Sequence, residues 1–365
     1  VLPGTQKVAA PHLQLAELIR EEIIAEEYRP GDQLPSQQLL AAKYRTSLIT
    51  VKRALNLLKD EGLIYGEPGK GVYVSFPVRG RSDGKQAEVT VVVLIEPPLS
   101  PFFSGIARGI CEAVSEQGWD VVFPNGSPCG KEADSPASRS KGFIVGIRTP
   151  DGKVMNSVSE LRAGGHPVVM VSYTEDPNAD YVGVDHVRGA YVATRHLVEL
   201  GYRSICYVTP EPKNPLSLLR YRGFLQACEE KPGVEPRVLG PAPGDSPTPN
   251  RYRAGYELGL RMVDMGDFPE ACFAFTDLVA LGLIRALQEN AVDVPNEVAV
   301  VGFDDIPLAE SSAVPLTTVR QPLKEIGYLA VDVLRRRLKG EKGPIRILLE
   351  PELVVRESCG ASLRK

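Results

Sequence analysis

Two different hydrophobic periods divide this chain of 365 residues. Between residues 12 and 76 the apolar positions follow helical spacing and then short strands. Leu15, Leu18, Ile19 and Ile23 recur three and four apart, which predicts an amphipathic helix over 12–27. Tyr28-Arg29-Pro30-Gly31-Asp32 ends it. A short helix follows from Pro35-Ser36 to Lys43, with Ser36 as its N-cap. Ser47 caps a third helix reaching about Glu61, whose buried face is Val51, Ala54, Leu55 and Leu58. Gly62-Leu63-Ile64-Tyr65 and Val72-Tyr73-Val74 then read as a hairpin around a glycine-flanked tip.

From Val89 onward the period changes. Apolar runs at 89–95, 120–123, 142–147, 167–172, 204–208, 271–276 and 298–303 predict strands. Amphipathic stretches at 106–117, 190–200, 221–230, 254–263 and 278–288 predict helices. Strand–helix alternation of this kind predicts parallel α/β sheets with crossover helices, and the stretch is long enough for two. Residues 77–88 carry Gly, Ser and charge without period and read as a linker. Residues 124–140 and 231–250 look like loose insertions. The run Val298-Ala-Val-Val-Gly-Phe-Asp-Asp305 reads as a strand buried on both faces that releases two carboxylates at its end. Open parallel sheets bind ligands at that end. Pro315-Leu-Thr-Thr318 is expected to cross between two lobes.

Composition narrows the class. With 43% hydrophobic and 24% charged residues the chain reads as soluble and globular, and its length allows two or three domains. A net charge of −4 gives no global sign of nucleic-acid binding, so any such role rests on local clustering. Six scattered cysteines read as buried free thiols in a reducing cytoplasm. No long apolar run predicts a membrane span, and residues 1–11 lack a secretory layout.

The local clustering is found at the third helix. Lys43, Arg45, Lys52, Arg53 and Lys59 follow one another with no acid between Lys43 and Lys59. The preceding helix instead carries Glu17, Glu21, Glu22, Glu26 and Glu27. Helix, helix-turn-helix and glycine-tipped ribbon form the layout of a winged helix-turn-helix, with the cations on its recognition helix. Lys70, between two glycines, can approach the backbone or minor groove.

The block resembles the GntR-type winged helix-turn-helix. The resemblance is carried by Arg29-Pro30-Gly31-Asp32-Gln33-Leu34-Pro35-Ser36, Thr50-Val51-Lys52-Arg53-Ala54-Leu55, Glu61-Gly62-Leu63-Ile64 and Gly69-Lys70-Gly71-Val72-Tyr73-Val74. It implies DNA contacts from Ser36, Arg45, Ser47, Thr50, Lys52, Arg53, Lys70 and Gly71. Gln38 and Leu48 stand where the family usually carries arginines.

The remainder resembles the effector domain of LacI/GalR-type repressors, a two-lobed periplasmic-binding-protein fold. The carrying motifs are Ser100-Pro101-Phe102-Phe103, Val182-Gly183-Val184-Asp185, and His196-Leu197-Val198-Glu199-Leu200-Gly201. Further on stand Arg220-Tyr221-Arg222-Gly223-Phe224, Phe275-Thr276-Asp277 and the strand at 298–305. The resemblance implies effector contacts from Asp304 and Arg220. A carboxylate accepts two hydroxyls, and a guanidinium donates in a planar fork. Phe102 and Phe103 offer an apolar face, and one of them is expected in the core. Ser172 and Thr276 stand where many relatives have aspartate and asparagine ligands, and Tyr252 is a looser pocket candidate. Asp305 and Asp277 are expected to cap helices or turns.

The expected architecture is a head at 8–76, a linker at 77–88 and an effector domain at 89–356. Within that domain, one lobe takes 89–184 with 319–338 and the other 185–318 with 339–356. Together the parts resemble arabinose-repressor-like proteins. They imply a ligand-responsive, homodimeric, cytoplasmic repressor. Its partners would be a pseudo-palindromic operator in double-stranded DNA and a small sugar-like effector. The alternative is an enzyme with a DNA-binding head acting on a small polar metabolite. Against it, Glu96-Pro97-Pro98 follows the first strand where a dehydrogenase needs glycines. The four histidines lack metal spacing, and no serine sits in a nucleophile elbow. No cofactor, metal or catalytic residue is expected.

Overall fold

The computed structural model of the protein describes residues 11–24, 28, 32–60, 64–67, 71–74, 88–95, 101–123, 140–146, 152–244, 248 and 250–363. The predicted segments at 77–87 and 124–139 and the residue Lys70 lie outside them.

The head consists of α1 (Pro11–Ile24), α2 (Gln37–Lys43), α3 (Leu48–Asp60), β1 (Ile64–Glu67) and β2 (Gly71–Val74). Its core is Leu15, Ala16, Ile19, Leu34, Leu40, Val51, Ala54, Leu55, Leu58, Ile64 and Val74. The four residues expected inside α3 are all buried, so the 3.6-residue period alone located that face. Leu18 departs from expectation at 47% exposed, because Ala16 takes the inward position beside Leu15 and Ile19. The ribbon pairs Ile64 with Val74 and Glu67 with Gly71 in antiparallel register. Leu34 N–H donates to Val72 O at 2.8 Å and Val74 N–H to Asp32 O at 2.9 Å. The segment before α2 thereby lies along the ribbon. Gly71 sits at φ +136°, a backbone conformation that favours glycine.

Beyond the head the chain contains β3 (Val89–Ile95), α4 (Pro101–Glu116), β4 (Asp120–Val122), β5 (Ser140–Gly146), α5 (Gly152–Ala163), β6 (Val168–Val171) and β7 (Asp180–Val184). Next are α6 (His186–Glu199), β8 (Ser204–Val208), α7 (Pro215–Glu229), β9 (Glu235–Leu239), α8 (Arg251–Met265), β10 (Ala271–Ala274) and α9 (Asp277–Glu289). The last elements are β11 (Ala299–Asp304), α10 (Pro307–Ser311), β12 (Thr317–Arg320), α11 (Leu323–Leu338), β13 (Arg346–Leu349) and β14 (Glu352–Val354). Two compact units result. One holds the described residues up to Gly146 with Gly152–Val169 and Gly327–Lys342; the other holds Met170–Ile326 and Gly343–Lys365. These divisions fall at 169, 326 and 342, against the expected 184, 318 and 338.

In the first unit β3 runs parallel to β4 and β5. In the second, a six-stranded sheet has the order β14-β12-β11-β10-β8-β9. Only β14 is antiparallel in it. Alternate residues serve opposite faces. Ala271 and Phe273 of β10 join Leu197 and Phe224 in one core, while Cys272 and Ala274 join Leu258 and Leu283 in another. Both faces are covered by helices, so these strands read as unbroken apolar runs. Cys206, Cys228, Cys272 and Cys359 are buried free thiols, and Cys111 is half-buried and free.

Two expectations are corrected. Residues 231–250 are not simply loose, because β9 pairs in parallel with β8 from Glu235 to Leu239. The Pro315-Leu-Thr-Thr segment is not a crossing. It leads into β12, which pairs with β11 inside the sheet, and Thr317 and Thr318 are fully buried. Two threonines in a row carry no apolar run, so only the sheet identifies them as interior.

Helices also begin earlier than their apolar periods. Asp185 caps α6 and Asn214 caps α7, and this extends them to His186 and Pro215. A Cβ on Gly223 of α7 would lie 2.0 Å from Val187 O, so α6 and α7 meet backbone to backbone. That approach sets Arg220, three residues before Gly223, against His186, one residue before Val187.

Candidate functional sites

On the head, α2 and α3 each begin at a serine cap. Ser36 Oγ accepts from Leu39 N–H at 3.3 Å, and Ser47 Oγ accepts from Thr50 N–H at 3.2 Å. Ser47 and Thr50 share a further hydroxyl bond at 2.9 Å. The Ser36 and Ser47 hydroxyls therefore hold helix ends, and the Thr50 hydroxyl braces the second cap. Arg45 sits in the turn at φ +50°, and with Lys52 and Arg53 it is exposed. Lys43 is withdrawn from the cationic set: it pairs with Glu22 at 2.7 Å and donates to Tyr28 Oη at 3.2 Å. Among the described residues no ion pair engages Arg45, Lys52 or Arg53. Exposed cations on one helix and its preceding turn suit a polyanion, whose affinity comes from counterion release.

In the second unit a buried polar network gathers at the carboxyl ends of β10 and β11. Asp304, the last residue of β11, lies at φ +125°, and Asp305 follows at +54°. Such conformations cost on the order of 1–3 kcal/mol each and persist only when neighbours hold them. Gln321 Nε2 donates to Asp304 Oδ1 at 2.7 Å, and Arg220 Nη2 approaches the same oxygen at 3.4 Å. Arg220 also donates through Nη1 to Phe275 O and lies 3.5 Å from His186 Nδ1 through Nη2. Its guanidinium carbon stands 3.7 Å from the Phe303 ring centroid and 4.9 Å from that of Phe275. Arg251 covers Phe275 as well, at 4.8 Å, and pairs with Glu211 at 2.9 Å. Arg220 and Asp304 are both almost wholly buried, yet Arg220 Nε has no partner among the described residues.

Burial sets the protonation states. It pushes His186 down to about 3, the neighbouring Arg220 charge adds to the fall, and the Ser172 carbonyl opposes it. His186 is therefore a neutral imidazole. Burial lifts Asp304 above the usual carboxylate range, against the pull of Arg220, Arg251 and Gln321. Burial lowers Arg220, and Asp304 opposes that. Burial also pushes Asp277 up to about 8, with the Asp304 charge adding to it and hydrogen bonds from Thr318 and Ile306 opposing.

The remaining expected residues separate. Ser172 is buried at φ +78°, and its carbonyl accepts from Tyr181 Oη at 3.0 Å and faces His186 Nε2 at 3.4 Å. Its place beside the network is thus made by backbone. Thr276 caps α9, its Oγ1 accepting from Val279 N–H at 3.4 Å. Tyr252, half-buried at the start of α8, interacts with Arg285 of α9, and among the described residues no hydrogen bond ties it to the network. Phe102 and Phe103 belong to the first unit and pack edge to face at 5.1 Å, with Phe103 in the core. Asp277 braces: it accepts from Ile306 N–H at 2.9 Å and from Thr318 Oγ1. Asp305 holds Arg320 and Arg356, each at 2.7 Å.

Sequence reasoning missed His186, Gln321 and the Arg251–Glu211 pair. The first two had a signal: each is the polar residue that follows a buried strand by two positions or fewer. Arg251 and Glu211 had none, because 40 residues separate them and their meeting is tertiary.

Comparison with known proteins agrees with this division. The model described as "Bacterial regulatory proteins, gntR family" matches residues 11–74, and that described as "Periplasmic binding protein-like domain" matches 194–359. The chain is 32% identical over 286 residues to the HTH-type transcriptional regulator DegA of Bacillus subtilis (strain 168), spanning 73% of this chain and 80% of that protein. It is 29% identical over 360 residues to the arabinose metabolism transcriptional repressor of Halalkalibacterium halodurans, spanning 93% and 94%. A solved LacI family transcriptional regulator from Enterococcus faecium with bound ribose superposes with a TM-score of 0.63 at 27% identity. It covers 74% of this chain and 98% of that one.

Proposed function

Because the chain belongs to the bacterial transcription regulators that join a GntR-family DNA-binding head to a periplasmic-binding-protein-like domain, we propose that it is a repressor governed by a neutral, polyhydroxylated effector. It is a regulator, not an enzyme, as its relatives are. The observation that carries the effector reading is the buried Asp304–Gln321–Arg220 cluster beside neutral His186. It offers a carboxylate acceptor with amide and guanidinium donors, including the Arg220 Nε left unpartnered among the described residues, held in place by neutral His186, which suits ring hydroxyls. Charge favours a neutral ligand: Arg220 is offset by Asp304, and Arg251 by Glu211. A phosphorylated sugar would need a cation left over. The ribose and arabinose in the names of relatives point the same way.

The expected partner on the head side is a pseudo-palindromic operator read by a homodimer in the cytoplasm, two recognition helices about 34–36 Å apart. No helix among the described residues is long and apolar enough to cross a membrane. Effector binding alters operator affinity through differential stability of two states, commonly about 1–3 kcal/mol of coupling. Thermal melting with neutral pentoses and hexoses, and with their phosphate esters, tests the reading. A neutral sugar should raise the melting temperature and change affinity for selected operator duplex, and Asp304→Asn should abolish both. Response to phosphate esters alone would overturn the neutral effector.

A further inference from the structure

The recognition helix does more than hold cations. Val51, Ala54, Leu55 and Leu58 form the buried face of α3, so the opposite stripe is Ile49, Arg53 and Asn56, spaced by four and three. Arg53 and Asn56 are exposed as expected for polar residues. Ile49 is 69% exposed and its neighbour Leu48 49% exposed, in a helix whose apolar requirement is already met elsewhere. A single exposed aliphatic residue calls for no explanation. Two in succession, on the first turn of the recognition helix and flanked by Arg45, Lys52 and Arg53, stand where base edges are read. The surrounding cations select a polyanion over an apolar protein partner. Within a duplex, the group that an aliphatic side chain can recognise in the major groove is the thymine C5-methyl.

We propose that Ile49 and Leu48 are specificity-determining residues that read thymine methyl groups, while Arg45, Lys52 and Arg53 anchor the phosphates. The inference rests on the DNA-binding reading above. Ile49 lies over the base edges and Leu48 beside it. The operator half-site therefore carries at least one thymine whose methyl group is enclosed on binding. Asn56 follows along the same stripe and supplies a polar contact to a neighbouring position.

The test separates this idea from its premise. Duplexes are selected from a randomised library with the full-length protein, and each thymine of the preferred duplex is then replaced by uracil. That exchange removes the methyl group and leaves pairing unchanged. At one or two positions per half-site, uracil should weaken binding about fourfold, the worth of one methyl group returned to water. Ile49→Ala or Leu48→Ala should erase the thymine-over-uracil preference at that position while the salt dependence stays as in the parent. Equal binding of thymine and uracil everywhere, or a preference that survives both replacements, would overturn the inference and leave DNA binding intact. Loss of oligomer in Ile49→Ala with uracil-indifferent binding would assign the patch to a second copy of the chain and also overturn it. Enrichment of no duplex at all would sink the DNA-binding reading and the inference together. Because the decisive substitution is in the DNA, a poorly folded variant cannot obscure the result.

Discussion

The head and the second unit each present arginines for a polar partner, but they prepare them in opposite ways. On α3, Arg53 and Lys52 stand in water, engaged by no ion pair among the described residues. In the second unit Arg220 is stripped of water and held by Asp304, a backbone carbonyl and two aromatic rings. Exposed charge keeps its hydration until a polyanion displaces counterions, so it contributes affinity without costing the fold. Buried charge must be compensated in advance, so it orients a small ligand and makes stability depend on the site. The two regions therefore differ in what a substitution should do.

The largest effect is expected where charge is buried. Asp304→Ala leaves Arg220 uncompensated and should cost about 3–5 kcal/mol of unfolding free energy. Replacing both, as Arg220→Met with Asp304→Leu, should recover most of that loss in chemical denaturation. A double variant as unstable as the single one would mean that the pair does not act as a unit.

Next comes pH. His186 is held at about 3 against an ordinary 6.5, so below 6.5 the unfolded chain takes up a proton that the folded chain refuses. Its contribution to stability falls as pH drops from about 6.5 to about 3, by up to about 1.4 kcal/mol per unit. Asp277, raised from 3.8 to about 8, has the opposite sign: the folded chain keeps a proton that the unfolded chain loses. Its contribution is complete below 3.8 and is lost as pH rises towards 8. Relative to the parent, His186→Asn should make stability fall more steeply with rising pH between about 4 and 6.5. Asp277→Asn should make it rise more steeply over the same range. Denaturation in pH steps reads both, and changes of slope in the same direction for the two variants would refute the assignment.

The smallest change in stability is expected on the head. Lys52→Ala with Arg53→Ala should leave unfolding free energy within about 0.5 kcal/mol of the parent. The slope of log affinity against log salt should nevertheless drop by about 2, near 0.9 per lost phosphate contact. An unchanged slope in titrations at several salt concentrations would remove these residues from the interface and erase the contrast with the buried site.

Much of this organisation is legible in the sequence. The face of α3 followed from period, the caps Ser36 and Ser47 from their places before α2 and α3, and β11 with Asp304 from an apolar run ending on acids. Arg220 was reached only through a family motif, and nothing local distinguishes it from an arginine on a helix surface. Tyr252 could be placed only loosely, in a poorly matched stretch; the fold sets it at the start of α8, beside Arg251 and within reach of Arg285. β12 was missed because Thr317 and Thr318 look like loop residues until Asp277 and the neighbouring strands enclose them.

The sequence by itself determined the two modules, the cationic recognition helix and the position of Asp304 at a strand end. These depend on periodicity, capping and turn chemistry, all of which act over a few residues. Tertiary structure alone decided which charges meet. The Gly223–Val187 approach brings Arg220 to His186, and the β11–β12 pairing brings Gln321 to Asp304. Burial then decides which of those groups keep their charge. Desolvation is a property of everything packed around a side chain, and no short stretch of sequence contains it.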